Sequence, residues 1–334
     1  MMNTFQKRVL SFLIDNAIYV VLALLVAGIS IQDPNFLSFG SLRNILLSSS
    51  TKLILALGSA MVLISGGVDL SAGRVVGLAA VLAASLLQIQ DYPRRFYPEL
   101  EQWPLLVPIL LAVIIGAGIG ALNGLAVARL RIPPFIATLG SMVIVYGVNL
   151  IYFDQEPNNS QPIGGLRPDF TELGSGSFLT MPIIVIIAAL VLGWAWILFN
   201  KTLTGKSMYA IGGNREAARV SGINVNGTLV RIYAMASGLA ALAGVLEAAR
   251  SGGAKSNYGE MYELDAIAAC VVGGVSTSGG IGTVPGVLAG VLIFSVINYG
   301  LTFIGMNPNL QFIVKGLIII TAVAIDVRKY WQRS

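Results

Sequence analysis

Few side chains in this sequence are of the types that do covalent chemistry. Glu263 and Asp265, in the stretch MYELDAIAACVVGG, resemble the carboxylate pairs used in general acid–base catalysis. They stand two positions apart, so on a helix they point to different faces, and no nucleophile accompanies them. The sequence has no His, and its single Cys270 stands in an apolar run. We therefore predict no enzyme activity, no metal site and no bound cofactor in this chain.

The residues Gly205-Lys206-Ser207 match the end of a phosphate-binding loop. That loop also needs a Gly five positions before Gly205, where Asn200 stands, and it must follow a strand, which this sequence does not predict. The match is therefore coincidental. If ATP drives the function of this protein, the ATP-binding site belongs to another chain.

The composition predicts an all-α polytopic membrane protein. Of the 334 residues, 55% are hydrophobic and 11% are charged, whereas soluble domains carry roughly 25% charge. Apolar runs such as LLVPILLAVIIGAGIGALNGLAVA do not alternate, so they favour helices over a β-barrel. The net charge of +5 is spread over the loops, so no nucleic acid partner is expected.

About ten spans are long and apolar enough to be proposed as transmembrane helices. They are 13–31, 45–65, 70–90, 104–128, 134–153, 181–200, 229–249, 263–275, 284–304 and 309–327. The spans 70–90 and 263–275 are the weakest, and either could be broken or half-spanning. The Lys and Arg residues then fall roughly two to one on the side of the N-terminus. This places both termini and the polar segment 205–225 in the cytoplasm.

A turn with two ionisable residues, SGGVDLSAGR (65–74), separates two of these spans. Ser71 is positioned to cap the following helix, and Asp69 to pair with Arg74 or to lie beside the helix N-terminus. We place this turn near the membrane surface as a helix entry. The alternative is that Asp69 and Ser71 line a transport path.

Glycines recur at helical spacing in two places, at 116, 120 and 124 and again at 282, 286 and 290. Such faces predict close helix packing, or alternatively a surface on which helices slide. The segment 122–140 also resembles 297–316 in its Asn, Gly, Pro and aromatic–Ile positions. Because the two segments are five spans apart, the pair fits an inverted repeat.

The segment 205–225 contains a short predicted helix. Asn214 is placed to cap it, two helical turns follow, and Gly222 ends it at the first non-helical position. Arg215 and Arg219 are spaced to share one face. Such a helix either docks into a soluble partner or forms an interfacial loop held by basic residues at anionic lipid.

Several polar and aromatic side chains near span ends suit contacts with a sugar. With Asp69 and Ser71, these pathway candidates are Asn123, Phe135, Thr138, Asn298 and Tyr299. Glu263 and Asp265 are candidates for an outer mouth or gate, because the short segment 263–275 and its Gly-rich return suit a re-entrant element lining a cavity.

Four long motifs carry a resemblance that covers essentially the whole chain. GGVDLSAGR, LNG…PPFIATLG, GKSMYAIGGNREAARVSGINV and YELDAIAACVVGGVSTSGGIGTVPG resemble the permease subunit of bacterial ABC importers for monosaccharides. Within that family, MYELDAIAACVVGGVS and DLSAGR…VGLAA are more similar to the galactose/methyl galactoside branch than to the ribose branch.

The resemblance implies a single permease domain (1–334) with the type II-like ABC importer fold, placed in the bacterial inner membrane as a homodimer. It also implies a cytoplasmic ATP-binding subunit and a periplasmic or extracellular sugar-binding protein as partners. The family's coupling helix maps onto the segment 205–225, at Gly213, Asn214, Arg215, Glu216, Ala217, Ala218, Arg219 and Gly222.

Two other functions stay open at this point. The chain could be a permease for ribose or another monosaccharide. It could also be a secondary transporter in which Asp69 or Asp265 couples transport to an ion, although buried ionisable residues are scarce and His is absent.

Overall fold

The computed structural model describes residues 17–307, 309–317 and 320, and this part of the chain is mostly helical. The helices are α1 (Ala17–Gln32), α2 (Phe39–Ile64), α3 (Ala72–Leu86), α4 (Leu106–Ala128), α5 (Pro134–Asp154), α6 (Pro168–Ser175), α7 (Ile183–Lys201), α8 (Leu203–Gly213), α9 (Arg215–Val220), α10 (Val225–Ser251), α11 (Tyr262–Val272) and α12 (Val284–Phe303). A 3-10 turn (Pro34–Leu37) follows α1, a two-stranded hairpin (Ser177–Phe178 and Met181–Pro182) precedes α7, and residues 309–317 are helical.

Six of these helices, α2, α4, α5, α7, α10 and α12, are long and apolar enough to cross a membrane. They confirm the prediction of an all-α polytopic membrane protein. The predicted span 13–31 starts at residues outside the described part of the chain, and in 309–327 the residues 318, 319 and 321–327 also lie outside it.

Helices α2 and α10 form the centre of the bundle. In their apolar windows 78% and 67% of the residues are buried, compared with 17% in α5, whose large apolar side chains face outward. Helix α10 packs against α2, α3 and α4. Small residues in its GLAALAG stretch allow these neighbours to approach closely.

The two weakest predicted spans are short helices. Helix α3 has 15 residues and α11 has 11, so they are about 22 Å and 16 Å long, less than the ~30 Å hydrocarbon thickness. Neither crosses the membrane as a helix. A non-helical stretch, 65–71, precedes α3, and another, 273–283, follows α11.

The half-length helices begin next to each other and run to opposite ends of the bundle. A Cβ atom on Gly73, in the first turn of α3, would overlap the Glu263 carboxylate at the start of α11. Helix α3 ends beside the start of α6, where Arg167 N donates to Leu87 O (2.9 Å). The stretch after α11 instead reaches α8, where Tyr209 Oη donates to Gly282 O (2.8 Å). We call these the α6 end and the α9 end.

The predicted glycine faces are packing faces. A Cβ on Gly120 would overlap Tyr233 O, and one on Gly124 would lie 2.7 Å from Val230 Cα, so α4 rests on the backbone of α10. On α12, Gly286 and Gly290 contact the backbone of Gly273 and Ala269 in the same way. The third predicted member, Gly282, lies before α12 and meets the Ile64 side chain instead. This confirms the close packing; the sliding alternative stays a prediction.

Gly120→Ala should therefore destabilise the folded protein. The added methyl group has no space against the Tyr233 carbonyl, and overpacking of this kind costs about 1–3 kcal/mol. The matched control is Gly118→Ala on the same helix, because a Cβ there meets nothing within 4 Å. Thermal unfolding of the detergent-solubilised variants measures the difference. Equal melting temperatures would contradict this packing.

Candidate functional site

Helix α9 is defined at both ends by local hydrogen bonds. Asn214 Oδ1 accepts from Ala217 N (2.9 Å) and caps the N-terminus. At the other end Gly222 is left-handed (φ +85°), and Ile223 N donates to Ala218 O (3.1 Å), which is a Schellman closure. The capped helix predicted within 205–225 is confirmed.

One face of α9 projects from the bundle. Glu216, Ala217, Arg219 and Val220 are exposed, and Glu216 bonds to Arg219 at 2.9 Å. Arg215 stands one helical turn before Arg219; it is half-buried, and its enclosed Nε has no hydrogen-bond partner among the described residues. The buried Ala218 faces the bundle.

One buried side chain fastens α9 to the bundle. Ala218 packs in a small apolar cluster with Ala128 of α4, Ile211 of α8, and Val225 and Leu229 of α10. A displacement of α9 would therefore be felt by three helices. Gly205-Lys206-Ser207 lie within α8, whose N-terminus is capped by Thr202, and not in a phosphate-binding loop.

Helix α8 meets both non-helical stretches at one point, which we call the Gly212 junction. A Cβ on Gly212 would overlap Ile64 O, at the end of α2, and would lie 2.5 Å from Gly280 N. Gly280 N itself donates to Ile64 O (2.8 Å). Burial raises the pKa of Tyr209, so its phenol stays neutral as the donor to Gly282 O. The junction thus joins α8 to the stretches that lead into α3 and out of α11.

Three of the pathway candidates form a closed polar network. Asp69 accepts from Ser71 Oγ (2.6 Å), Ser71 N (2.9 Å) and Ser237 Oγ (3.2 Å), and Asn123 Nδ2 donates to Ser71 Oγ (2.9 Å). All four residues are buried. Their hydrogen bonds are directed at one another, as in a structural network.

The turn that contains Asp69 is deep, and not near the surface as predicted. Its partner Ser237 lies twelve positions into α10, about 18 Å along the helix. Ser71 does not cap α3, because its hydroxyl donates to Asp69. Arg74 does not pair with Asp69 either: its Nη2 lies 3.8 Å from Glu260 Oε1, and its guanidinium stands over the Tyr146 ring at 4.2 Å.

Thr138 borders the polar network, because its buried hydroxyl lies 3.3 Å from Val68 O, next to Asp69, and 2.9 Å from Pro134 O. The other candidates lie elsewhere, and Phe135 is 55% exposed. Tyr299 donates to Ser41 Oγ (3.3 Å). The seven predicted pathway residues therefore do not form one site.

A cavity between α2, α11 and α12 brings together polar groups of another kind. It is lined by Lys52, Tyr262, Asp265 and Asn298, with apolar side chains around them. Asp265 Oδ2 accepts from Lys315 Nζ (3.0 Å). Both amide atoms of Asn298 are buried without a hydrogen-bond partner among the described residues.

Glu263, predicted to stand with Asp265 at an outer mouth, is instead buried against Gly73. The two carboxylates face different helices, as their spacing predicts. Lys52 was missed as a site residue, and the signal for it was a lysine in the middle of an apolar span. Among the described residues, no group of three His, Cys, Asp or Glu side chains could hold a metal ion.

Comparisons with known proteins identify the family. The galactose/methyl galactoside import permeases of Escherichia coli K12 and Haemophilus influenzae Rd are 51% and 52% identical to this chain over 333 residues, 98% of each chain. The ribose import permease of E. coli K12 is 37% identical over 326 residues, 96% of this chain and 95% of that one. No solved structure matches. The family model described as the branched-chain amino acid transport system permease component matches residues 41–323, so this chain belongs to that family of multi-pass inner-membrane permeases.

Proposed function

We propose that this chain is the membrane subunit of an ATP-driven importer for galactose, methyl galactoside or a related monosaccharide. The main evidence is sequence identity. This chain is 51–52% identical over nearly its whole length to permeases named for these sugars, and 37% identical to a permease named for ribose. Ribose or another monosaccharide is the second candidate. ATP hydrolysis belongs to a partner chain.

The α9 end is the cytoplasmic end in this proposal, with both termini on that side. Exposed basic residues cluster there, at Arg129, Arg131, Lys201 and Lys206. The positive-inside rule supports this orientation. The projecting face of α9 is then the surface that docks to the ATP-binding subunit, and a sugar-binding protein docks at the α6 end.

The further architecture of the family is also part of the proposal: ten spans, inverted repeats and a homodimer in the lipid bilayer. The half-length helices α3 and α11 support the repeat. They begin together in the interior at Gly73 and Glu263 and run to opposite ends, as the equivalent helices of two inverted halves do.

Transport follows alternating access. Closure of the ATP-binding subunits moves α9, and the Ala218 cluster and the Gly212 junction pass this motion to the stretches 65–71 and 273–283. An ion-coupled transporter is less well supported, because Asp69 is enclosed by hydrogen bonds and Asp265 is paired with Lys315.

Reconstitution tests the proposed function. Proteoliposomes that contain this permease, its ATP-binding subunit and the sugar-binding protein should accumulate galactose only with ATP, and a protonophore should not prevent accumulation. The permease alone under a pH gradient is the control and should accumulate none. Gradient-driven uptake by the permease alone would contradict the proposal in favour of a secondary transporter.

Ala217→Trp should abolish uptake, because a bulky ring on the exposed face of α9 keeps the ATP-binding subunit from docking. The protein should still fold and insert, since Ala217 is exposed. Ala217→Ser, which keeps the surface small, is the matched control and should transport normally. Sugar uptake and co-purification of the ATP-binding subunit are the measurements. Normal uptake by Ala217→Trp would refute docking at this face.

A further inference from the structure

We propose that the cavity between α2, α11 and α12 is a sugar-hydroxyl subsite of the permease, with Asn298, Lys52 and Asp265 as its polar contacts. The inference rests on the proposed function and deepens it. It assigns the transported monosaccharide to one place in the chain, apart from the Asp69 network.

The side-chain amide of Asn298 is buried with its hydrogen-bonding capacity unused. Its Nδ2 and Oδ1 are both buried, and neither has a hydrogen-bond partner among the described residues. Leaving a buried amide unsatisfied is unfavourable, and such groups in native proteins call for an explanation. An amide that both donates and accepts is suited to two neighbouring hydroxyl groups of a sugar ring.

Charged and aromatic side chains surround this amide. Lys52 and Asp265 both line the cavity, so an ammonium and a carboxylate border it beside the amide. Asp265 Oδ2 accepts from Lys315 Nζ (3.0 Å). Phe294 and Tyr262 add ring surface to the cavity. The cavity places a few polar groups among apolar side chains, and its volume of about 10 Å³ has room for one hydroxyl-sized group.

The cavity lies near the middle of α2 and at the start of α11. Lys52 lies midway along α2, and Tyr262 and Asp265 belong to the first turn of α11. That turn is where α11 and α3 begin side by side. In transporters with broken helices, substrate sites lie at such points near the middle of the membrane.

The test compares Asn298→Leu with the wild-type permease in the complete reconstituted transporter. Uptake of galactose and of each monodeoxygalactose is measured for both. Because both receive sugar from the same binding protein, the ratio of their rates cancels the selectivity of that protein. The matched control is Ser295→Ala, one turn earlier on α12, which removes a buried hydroxyl that also lacks a partner but does not line the cavity.

We expect Asn298→Leu to slow galactose uptake about tenfold, as the loss of buried hydrogen bonds predicts. At least one monodeoxygalactose, lacking the contacted hydroxyl, should be slowed much less, and Ser295→Ala should be unchanged. An equal reduction for every sugar, or none, would overturn the subsite and leave the proposed function standing. A wild-type transporter that moves none of these sugars would refute the proposed function and the subsite with it.

A second measurement applies if Asn298→Leu fails to fold. Ala266 lines the cavity, and Ala266→Cys, in a Cys270→Ser background, changes its volume little. A small methanethiosulfonate reagent should label this cysteine, and galactose should slow the labelling severalfold, whereas sucrose at the same osmolarity should not. Absent labelling, or labelling that galactose does not slow, would overturn the proposal.

Discussion

The arrangement of this permease depends on the close backbone contact at Gly212. Helix α8 can touch Ile64 O and Gly280 N together only because position 212 has no side chain. Through this contact the cytoplasmic segment proposed to meet the ATP-binding subunit is joined directly to the stretches that lead into α3 and out of α11. Contacts of backbone on backbone transmit displacement well, since packed interiors have low compressibility.

The polar groups inside the bundle divide into two kinds. Around Asp69 the hydrogen bonds are internal, so this network fixes the start of α3 against α4 and α10. The Asn298 amide makes no hydrogen bonds to the described residues, which costs about 1–3 kcal/mol for each unsatisfied group. Within hydrocarbon such a cost marks function more than stability. The division suits a protein that holds one half-helix rigidly and leaves a binding surface beside the other.

Local features of the fold could be read from the sequence. The cap at Asn214, the end of α9 at Gly222 and the glycine face of α4 follow from nearest neighbours, and all are as predicted. The depth of Asp69 could not be read in this way, because its partner Ser237 in the middle of α10 is far away in the sequence. Arg74 meets Glu260, which is far away in the sequence, and no spacing rule predicts that contact. Lys52 becomes a site residue only once α11 and α12 are placed beside it.

The most direct test of coupling through the Gly212 junction is to change the junction without touching α9. Gly212→Ala places a methyl group against Ile64 O, whereas a Cβ on the adjacent Gly213 meets nothing within 4 Å. The decisive measurement is the amount of sugar imported per ATP hydrolysed by the two reconstituted, monodisperse variants. We predict that the transporter with Gly212→Ala hydrolyses ATP but imports much less sugar per ATP, and that Gly213→Ala matches the wild type. An unchanged amount of sugar per ATP in Gly212→Ala would contradict coupling through the Gly212 junction.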